Sequence, residues 1–531
     1  MSLEIQNRTI DNREVDNRKV DNREVELKLN LPPTALAALR QHPLFVAAVL
    51  LGSEAIESTY YDTPDFALRS CGIALRLRRA GDIWQQTVKC AAPSTGGLAA
   101  RPEWEQGWGG HFDFCGVTDA RVRTFLVGNA ARLTPVFNTR FHRETRCHSV
   151  DGARIRLMLD TGEILAGARR EPLCELELEL DAGAPVDLLR LAEQLAVALP
   201  LFPDDRSKAA RGYRLCGGAT PGRGPVRAEA ATIGRKQTPV AAFRELAESC
   251  VRQWQANVWG ALCDRASDTN PDADPDPEYI HQLRVGLRRL RALLRLFAPV
   301  LPETFATIWR RRLGDNARTL GAARDLDVLC DAVLAPVQAA CGADHEGLAR
   351  LSAALETARG AARMEALRHL DLAAQGRLLL GFMAALHSLP DADARRRGAL
   401  AALVARRLDR ARSRVAKRLE EAQQGDPTRL HRLRIACKQL RYGLDFCAPL
   451  LRRKAVMRYL KTLVKVQDKL GYLHDVEVAR QRLPAVAGDV PELAAAAALV
   501  LDWHTPCCRK RCKGALRNTK ALLAETPPWQ R

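Results

Sequence analysis

The sequence predicts an α+β chain in two parts: an antiparallel β-sheet or barrel, then an all-α unit built by duplication. From residue 21 to about 180, short runs alternate polar and apolar residues (ALRLR, WQQTVK, RPEWE, ARIRLML, CELELEL). The turn signals SCG, AGD, STGG and VDG separate them, which is the pattern of many short strands. Beyond 240 the composition turns to Ala, Leu and Arg with helical periodicity to the end. That half also repeats itself. HQLRVGLRRLR from His281 returns 150 residues later as HRLRIACKQLR from His431, and GAARDLDV from Gly321 returns at the same offset as GYLHDVEV from Gly471. Two elements in one register indicate a duplicated helical unit.

In chain order, the pentads DNREV (11–15), DNRKV (16–20) and DNREV (21–25) come first, and residues 1–20 read as a polar N-terminal extension. The strand-rich domain is expected over 21–215, with helices around 33–50 and 186–199. The Gly/Pro/Thr/Arg-rich stretch 216–240 reads as a linker. The helical domain follows over 241–525.

A chain of 531 residues with 47% hydrophobic content can fill two to four cores. Its net charge of +19 and pI near 9.6 imply a polyanionic partner: nucleic acid, an anionic membrane surface or phosphate chains. The polar start MSLEIQNRTI has no signal-peptide core, and the run LAAAAALVL at 493–501 is too short to span a bilayer. The expectation is a cytoplasmic protein with no membrane span. Fifteen cysteines without CxxC spacing suggest reduced, mostly buried thiols. His504, Cys507, Cys508 and Cys512 cluster in HTPCCRKRC, but they match no zinc spacing and read as part of a plain helix.

Side chains on a strand alternate faces, so Glu24, Glu26 and Lys28 share one face and Val25, Leu27 and Leu29 the other. Arg76 with Arg78, Arg101 with Glu103 and Glu105, Arg154 with Arg156, and Glu175 with Glu177 and Glu179 alternate likewise. Lys89, Arg140 and Arg143 add further cations. Such faces could meet water around an aliphatic lumen. Their segregation by type favours an inward orientation: paired carboxylates suit Mg²⁺ or Mn²⁺, and clustered arginines grip phosphate oxygens. Both together describe a site for a metal-bound polyphosphate. The sequence contains no GxxxxGK[ST], so no P-loop is expected.

The run EVELK resembles the ExExK signature of the CYTH superfamily, the triphosphate tunnel metalloenzymes. The likeness continues through YYDTPDFALRSCGIALRLR at 60–78, QTVK at 86–89, RPEWE, LTPVFNTRFHRET, CELELEL and SKAARGYRL at 207–215. It implies an eight-stranded antiparallel barrel whose charged tunnel hydrolyses inorganic triphosphate to diphosphate and phosphate, with Mg²⁺ or Mn²⁺. By that resemblance Glu24 and Glu26 hold metal, joined by Glu175 and Glu177, and act in catalysis with Lys28. Lys28, Arg76, Arg78, Lys89, Arg101, Arg140, Arg143 and Lys208 hold phosphates. Glu103 and Glu105 serve a second metal or position water, and Asp160 is a further candidate. Thiamine-triphosphate hydrolysis and adenylyl cyclisation are alternative activities of the same family.

On a helix at ~100° per residue, His281, Arg284, Arg288, Arg291 and Arg295 form one stripe, opposite Leu283, Leu287, Leu290, Leu294 and Phe297. Asp276 and Pro277 are placed to begin that helix. The second copy carries His431, Arg434, Lys438 and Arg441, with no acid before Asp445. Solvated faces usually mix signs, so a repeated basic stripe suggests a polyanion site. Aromatics are 5% of the chain and none interleaves with the stripes, so nucleic acid is poorly served. These motifs resemble the CHAD domain over about 240–525, which implies two pseudo-symmetric bundles with a basic groove for inorganic polyphosphate. The second copy departs by carrying Lys438 for Arg288 and His474 for Arg324. Asp325, Asp327, Asp475 and Glu477 are expected to position basic residues or cap helices. The partners implied are inorganic triphosphate and polyphosphate, with polyphosphate granules a compatible location. The rival class is a non-enzymatic polyphosphate scaffold.

Overall fold

The computed structural model describes residues 23–217, 224–263, 276–342, 345–390 and 398–530; the pentad copies up to Asn22 lie outside them. The chain divides into two compact units, Met1–Pro221 and Gly222–Arg531.

The first unit is a closed antiparallel barrel of eight strands: β1 (Arg23–Asn30), β2 (Val49–Asp62), β3 (Ile73–Ala80), β4 (Ile83–Cys90), β5 (Leu98–Gly107), β6 (Thr134–Val150), β7 (Ala153–Ala166) and β8 (Arg169–Ala182). The order is β1-β8-β7-β6-β2-β3-β4-β5, and β5 pairs back onto β1 to close the ring. Closure sets Glu24 opposite Arg101 and Lys28 opposite Glu177.

The alternation resolves with the charges inside. Leu27 and Leu29 of β1, Leu176 and Leu178 of β8, and Ile155, Leu157 and Leu159 of β7 point outward yet are fully buried. A helix over Pro185–Leu195 covers β1 and β8 with Leu188, Leu189, Ala192 and Leu195. The apolar core is therefore a layer around the barrel. Each fully buried leucine there contributes ~2 kcal/mol, which helps offset the desolvation of a charged lumen.

Two expectations along this unit change. The helix expected over 33–50 is three short turns (Pro33–Ala35, Leu36–Gln41, Pro43–Ala47), and β2 takes over at Val49. The chain also forms a helix over Ala120–Asn129, capped by Asp119 and not anticipated from the sequence pattern. Helix α1 (Lys208–Leu215) has Ser207 as its N-cap.

In the second unit, residues 225–234 have no regular structure but are anchored: Asn257 brackets the backbone of Val226, and Ile233 is buried. The helices that build the site are α2 (Pro277–Phe297), α3 (Gly321–Val328), α4 (Ala399–Glu421), α5 (Pro427–Cys447), α6 (Arg453–Ala487) and α7 (Pro491–Ala524). The duplication reaches the boundaries themselves. Both α2 and α5 start with an Asp N-cap and Pro, at 276–277 and 426–427, and both run into a 3₁₀ turn. Leu283, Leu287, Leu290, Leu294 and Phe297 of α2 are buried, as are their equivalents Leu433, Cys437, Leu440, Leu444 and Cys447 of α5. The copies differ after that. The first breaks at Leu320 to begin α3, whereas Gly471 lies inside the continuous α6. Among the described residues no helix is long and apolar enough to cross a membrane.

Candidate functional site

Inside the barrel is a cavity of 340 Å³. Every second residue of a strand faces it: Glu24, Glu26 and Lys28 (β1), Arg76 and Arg78 (β3), Lys89 (β4), Arg101, Glu103 and Glu105 (β5), Arg143 (β6), and Glu177 and Glu179 (β8), with Lys208 entering from α1.

Nearly every cation here has a carboxylate partner. Lys28 Nζ lies 2.8 Å from Glu177 and 4.0 Å from Glu26, and Arg101 reaches Glu26 at 2.7 Å. Lys89 Nζ sits between Glu24 at 2.7 Å and Glu103 at 3.1 Å. Arg76 stands 3.7 and 3.6 Å from Glu103 and Glu105. Arg143 spans Asp160 at 2.6 Å and Glu177 at 2.8 Å. Lys208 contacts Glu175, Asp160 and Glu177 at 2.5, 2.6 and 3.1 Å. Arg78 is the exception, with no ion pair among the described residues; its buried Nε, like those of Arg76 and Arg101, has no hydrogen-bond partner there.

These pairings set the protonation states. Burial works against the ammonium groups of Lys28, Lys89 and Lys208, but the surrounding carboxylates hold Lys28 and Lys89 well above the usual lysine value and raise Lys208 as well. Burial likewise opposes ionisation of Glu24, yet Lys89 keeps it well below the carboxylate range. Glu105, facing Arg76 and Arg78, is lowered to about 2 despite burial. Two carboxyls go the other way. Burial and the neighbouring Glu24 push Glu103 up to about 8, although Lys89 opposes this, and they push Glu179 up to about 7. Arg78 is pushed down to about 10 by burial and by Arg76 and Arg143.

The donor set fits a hard divalent cation, being carboxylate oxygens only. Asp160, Glu175 and Glu177 offer buried oxygens all within 4.8 Å of one another, the one such cluster among the described residues. On the adjoining wall the mutual repulsion of Glu24, Glu103 and Glu179 is what an added cation would relieve.

The structure brings most of the expected lumen residues together, while Arg140, Arg154 and Glu175 do not line the cavity. Arg140 is outside: it is exposed and pairs with Glu57 at 3.3 Å. Arg140 and Arg143 are three apart on one strand, so period two allows only one of them inward, and Phe141 accompanies Arg143. Glu175 is buried behind the cavity, holding Lys208 and Arg211. Arg154 is exposed at the start of β7, near Asp181 at 3.8 Å and beside a register shift between β7 and β8, while Arg156, two residues on, lines the cavity. Residues not anticipated at the cavity are Tyr60, Arg69 and Tyr213. Tyr213 donates to Asp62 at 2.8 Å, and Asp62 accepts from the backbone of Leu68 and Arg69, so α1 is tied to the turn after β2. Aromatic and capping residues carry no alternation, which is why the strand pattern missed them.

In the helical unit, α2, α3, α5 and α6 enclose a cavity of 530 Å³. His281, Arg284, Arg288 and Arg291 line it from one copy, and His431, Arg434 and Lys438 from the other. Arg295, Arg324, Tyr442, His474, Asp325 and Asp475 join them, brought in by the second conserved-offset motif and by helix packing. Arg441 does not line it: it turns to Gln467 at 2.9 Å and Asp445 at 3.7 Å. Its equivalent Arg291 lies over Gly314, where a Cβ would sit 3.2 Å from the guanidinium, and the second copy has Val464 at that offset.

Here the cations face one another. Among the described residues the Nε atoms of Arg284, Arg288, Arg291 and Arg434 are buried without a partner. Burial, then Arg434 and Arg288, push Lys438 down to about 7. Burial and Arg288 push Arg284 down to about 10. His281 falls to about 4 by burial and Arg324, and His474 to about 3 by burial and Arg434. Asp327 is engaged by Arg359 and Arg363, and Glu477 lies 3.6 Å from Arg480.

The His504 cluster assembles no metal site. His504 is buried with one ring nitrogen on Tyr472 Oη at 2.5 Å and the other on the Val333 carbonyl at 2.9 Å. The fourteen cysteines whose side chains are described are all free thiols.

Profiles of two families match the chain: the CYTH domain over 22–213 and the CHAD domain over 245–484. An inorganic triphosphatase of Haemophilus influenzae is 30% identical over 193 residues, covering 36% of this chain and 54% of that protein. The match thus spans about half the length of that curated relative. Among solved structures, the CHAD domain of Ricinus communis is 28% identical, covering 58% of this chain and 99% of that one, with a TM-score of 0.48. A Hippeastrum protein described by a dominant triphosphatase activity is 20% identical, covering 37% of this chain and 98% of that one, with a TM-score of 0.29.

Proposed function

The chain carries a CYTH domain followed by a CHAD domain, and from that premise we propose that it hydrolyses inorganic triphosphate in the barrel and binds inorganic polyphosphate in the helical groove. The supporting observation for hydrolysis is the lumen itself, where buried carboxylates from β1, β5 and β8 alternate with buried Lys and Arg. In this reading the CYTH unit is 21–215, the linker 216–240 and the CHAD unit 241–525.

Arg76, Arg78, Lys89, Arg101, Arg143 and Lys208 bind phosphate oxygens, and the buried Nε atoms of Arg76, Arg78 and Arg101 are without a protein partner among the described residues. Glu24, Glu26 and Glu177, with Glu103 and Glu105 on the adjoining wall, would hold Mg²⁺ or Mn²⁺, which when bound neutralises charge on the transferred phosphoryl group. Lys28 is fixed by Glu26 and Glu177 and orients the chain end. Glu175 acts through Lys208 and is a positioning residue. Water attacks the terminal phosphorus in line, the P–O bond to the bridging oxygen breaks, and diphosphate leaves as phosphate forms. Glu105, held ionised, is suited to orient that water.

For the groove, the supporting observation is its uncompensated cations: buried guanidinium N–H groups without partners and a lysine depressed to about 7. An anionic chain without bases satisfies them. We place the protein in the cytoplasm, with polyphosphate granules a compatible location.

The test is phosphate release from tripolyphosphate by the full chain with Mg²⁺, with ATP and thiamine triphosphate in parallel. Release from tripolyphosphate well above the other two supports the reading. No release from any of them, by folded protein that binds polyphosphate, would make the chain a scaffold.

A further inference from the structure

A second basic cavity of 500 Å³ lies beside the groove. Arg407, Arg414 and Arg418 of α4 line it with Arg310 and Arg432, and Arg410 joins Arg407 and Arg414 at a small adjoining cavity. The second cavity adjoins the groove, with Arg295, Ile435 and Gln439 in the lining of both. Arg407 has a structural explanation: it donates to the carbonyls of Leu296 at 3.0 Å and Arg295 at 2.5 Å, closing the end of α2. Arg414 donates to Gln439 at 2.9 Å. Among the described residues, Glu421 on Arg418 is the one carboxylate ion-paired to any of the six. Burial and like-charge neighbours lower both Arg407 and Arg295.

This surface is not a by-product of the duplication. The helix that packs on α2 as α4 packs on α5 is Pro239–Cys263, whose basic residues are Arg244 and Arg252. Arg252 pairs with Glu229, and Arg244 donates to the Leu389 carbonyl, its Nε alone being without a partner among the described residues. Helix α4 instead carries seven, Arg406, Arg407, Arg410, Arg412, Arg414, Lys417 and Arg418. Packing does not require that asymmetry. Self-repelling guanidinium groups around a cavity are stabilised by an anion, and among the described residues no aromatic side chain lines this one for base stacking.

We infer that the polyphosphate path does not end at the duplicated stripes but continues past Arg295 and Gln439 into this second cavity, making a binding surface particular to the C-terminal copy. The inference rests on the reading that the helical unit binds polyphosphate.

The experiment is titration of long-chain polyphosphate into the full chain over a salt series. It compares the unaltered protein, a groove variant (Arg284→Gln with Arg434→Gln) and a side-cavity variant (Arg410→Gln, Arg414→Gln and Arg432→Gln), each with its melting temperature. The side-cavity variant should melt like the parent, lose roughly tenfold in affinity, and have a log–log salt slope shallower by about 2, at ~0.7 per lost contact. If it matches the parent in affinity and slope while the groove variant loses binding, the extension is wrong and the groove reading stands. If the parent itself does not bind, both readings fall. Equal competition by single-stranded DNA of matched charge would overturn the assignment to polyphosphate.

Discussion

The two units both bury clusters of cations, but they balance them in opposite ways. In the barrel, Lys28, Lys89 and Lys208 are each clasped by carboxylates and raised above their usual range. In the helical groove, Lys438 and Arg284 meet other cations and are lowered, to about 7 and about 10. A balanced site is preorganised, since its charges hold one another in place before any ligand arrives. An unbalanced site stores repulsion that an anion relieves. The first arrangement suits chemistry on a substrate that arrives with a metal, the second suits holding a long polyanion.

The largest effect that could break this contrast is on hydrolysis. Glu24→Gln, or chelation of divalent cations, should lower tripolyphosphate turnover by about 10³-fold. Polyphosphate binding by the same samples should be unchanged. The barrel should survive Glu24→Gln, because Lys89 keeps Glu103 at 3.1 Å. Loss of both functions under chelation would mean that the groove also needs metal. Next in size is Lys28→Met. It takes one cation from Glu26, which keeps Arg101, and from Glu177, which keeps Arg143 and Lys208, a loss of about 1–3 kcal/mol read as a lower melting temperature.

Much of this was legible in the sequence, and the limits are physical. Period two identified Glu24, Glu26, Lys28, Arg76, Arg78, Glu103 and Glu105 as sharing strand faces, because nothing interrupts the alternation there. It could not decide which face was inside; closure of β1 on β5 and the helix over β1 and β8 decide that. Parity alone would have rejected Arg140 once Arg143 was chosen. Tyr60, Tyr213 and Arg69 come from positions whose role depends on how α1 docks, which no local pattern encodes. In the helical half the repeat supplied the stripes, yet Val464 in place of Gly314 accompanies the different course of Arg441.

The groove itself is tested by replacing Arg284, Arg288, Arg434 and Lys438 together by Glu. Long-chain polyphosphate affinity at moderate salt should fall roughly 100-fold, while tripolyphosphate turnover stays near the parental rate. Binding that survives would make the stripes ordinary solvated faces. A smaller effect is in the sign of the pH dependence. The folded state raises Glu103 from 4.5 to about 8, so it holds that proton longer than the unfolded chain and the barrel loses stability as pH climbs through that window. Lys438 falls from 10.5 to about 7, so the unfolded chain binds more protons and the helical unit gains stability from about 7 upward. Hydrogen exchange on the full chain should show protection of β5 falling and of α5 rising as pH increases across 7 to 8. Parallel trends would erase the contrast.

The smallest effect is the most direct measure of stored repulsion. Lys438→Met keeps the length of the side chain and removes the charge that Arg434 and Arg288 oppose, with Asp475 the carboxylate that partly offsets them. A mutation that deletes a buried lysine normally destabilises, and Lys28→Met is expected to do so. At Lys438 the sign should reverse, with a melting temperature higher by roughly 2–4 °C without ligand. The gain should be greatest below pH 7, where the native lysine still carries its proton, and should fade toward 10.5, where the unfolded chain releases its own. Saturating polyphosphate should cancel or invert it, because an anion stabilises the charged form that the variant lacks. If Lys438→Met instead melts lower at every pH, Asp475 outweighs the arginines, the lysine is paired in the manner of Lys28, and the groove is as balanced as the barrel.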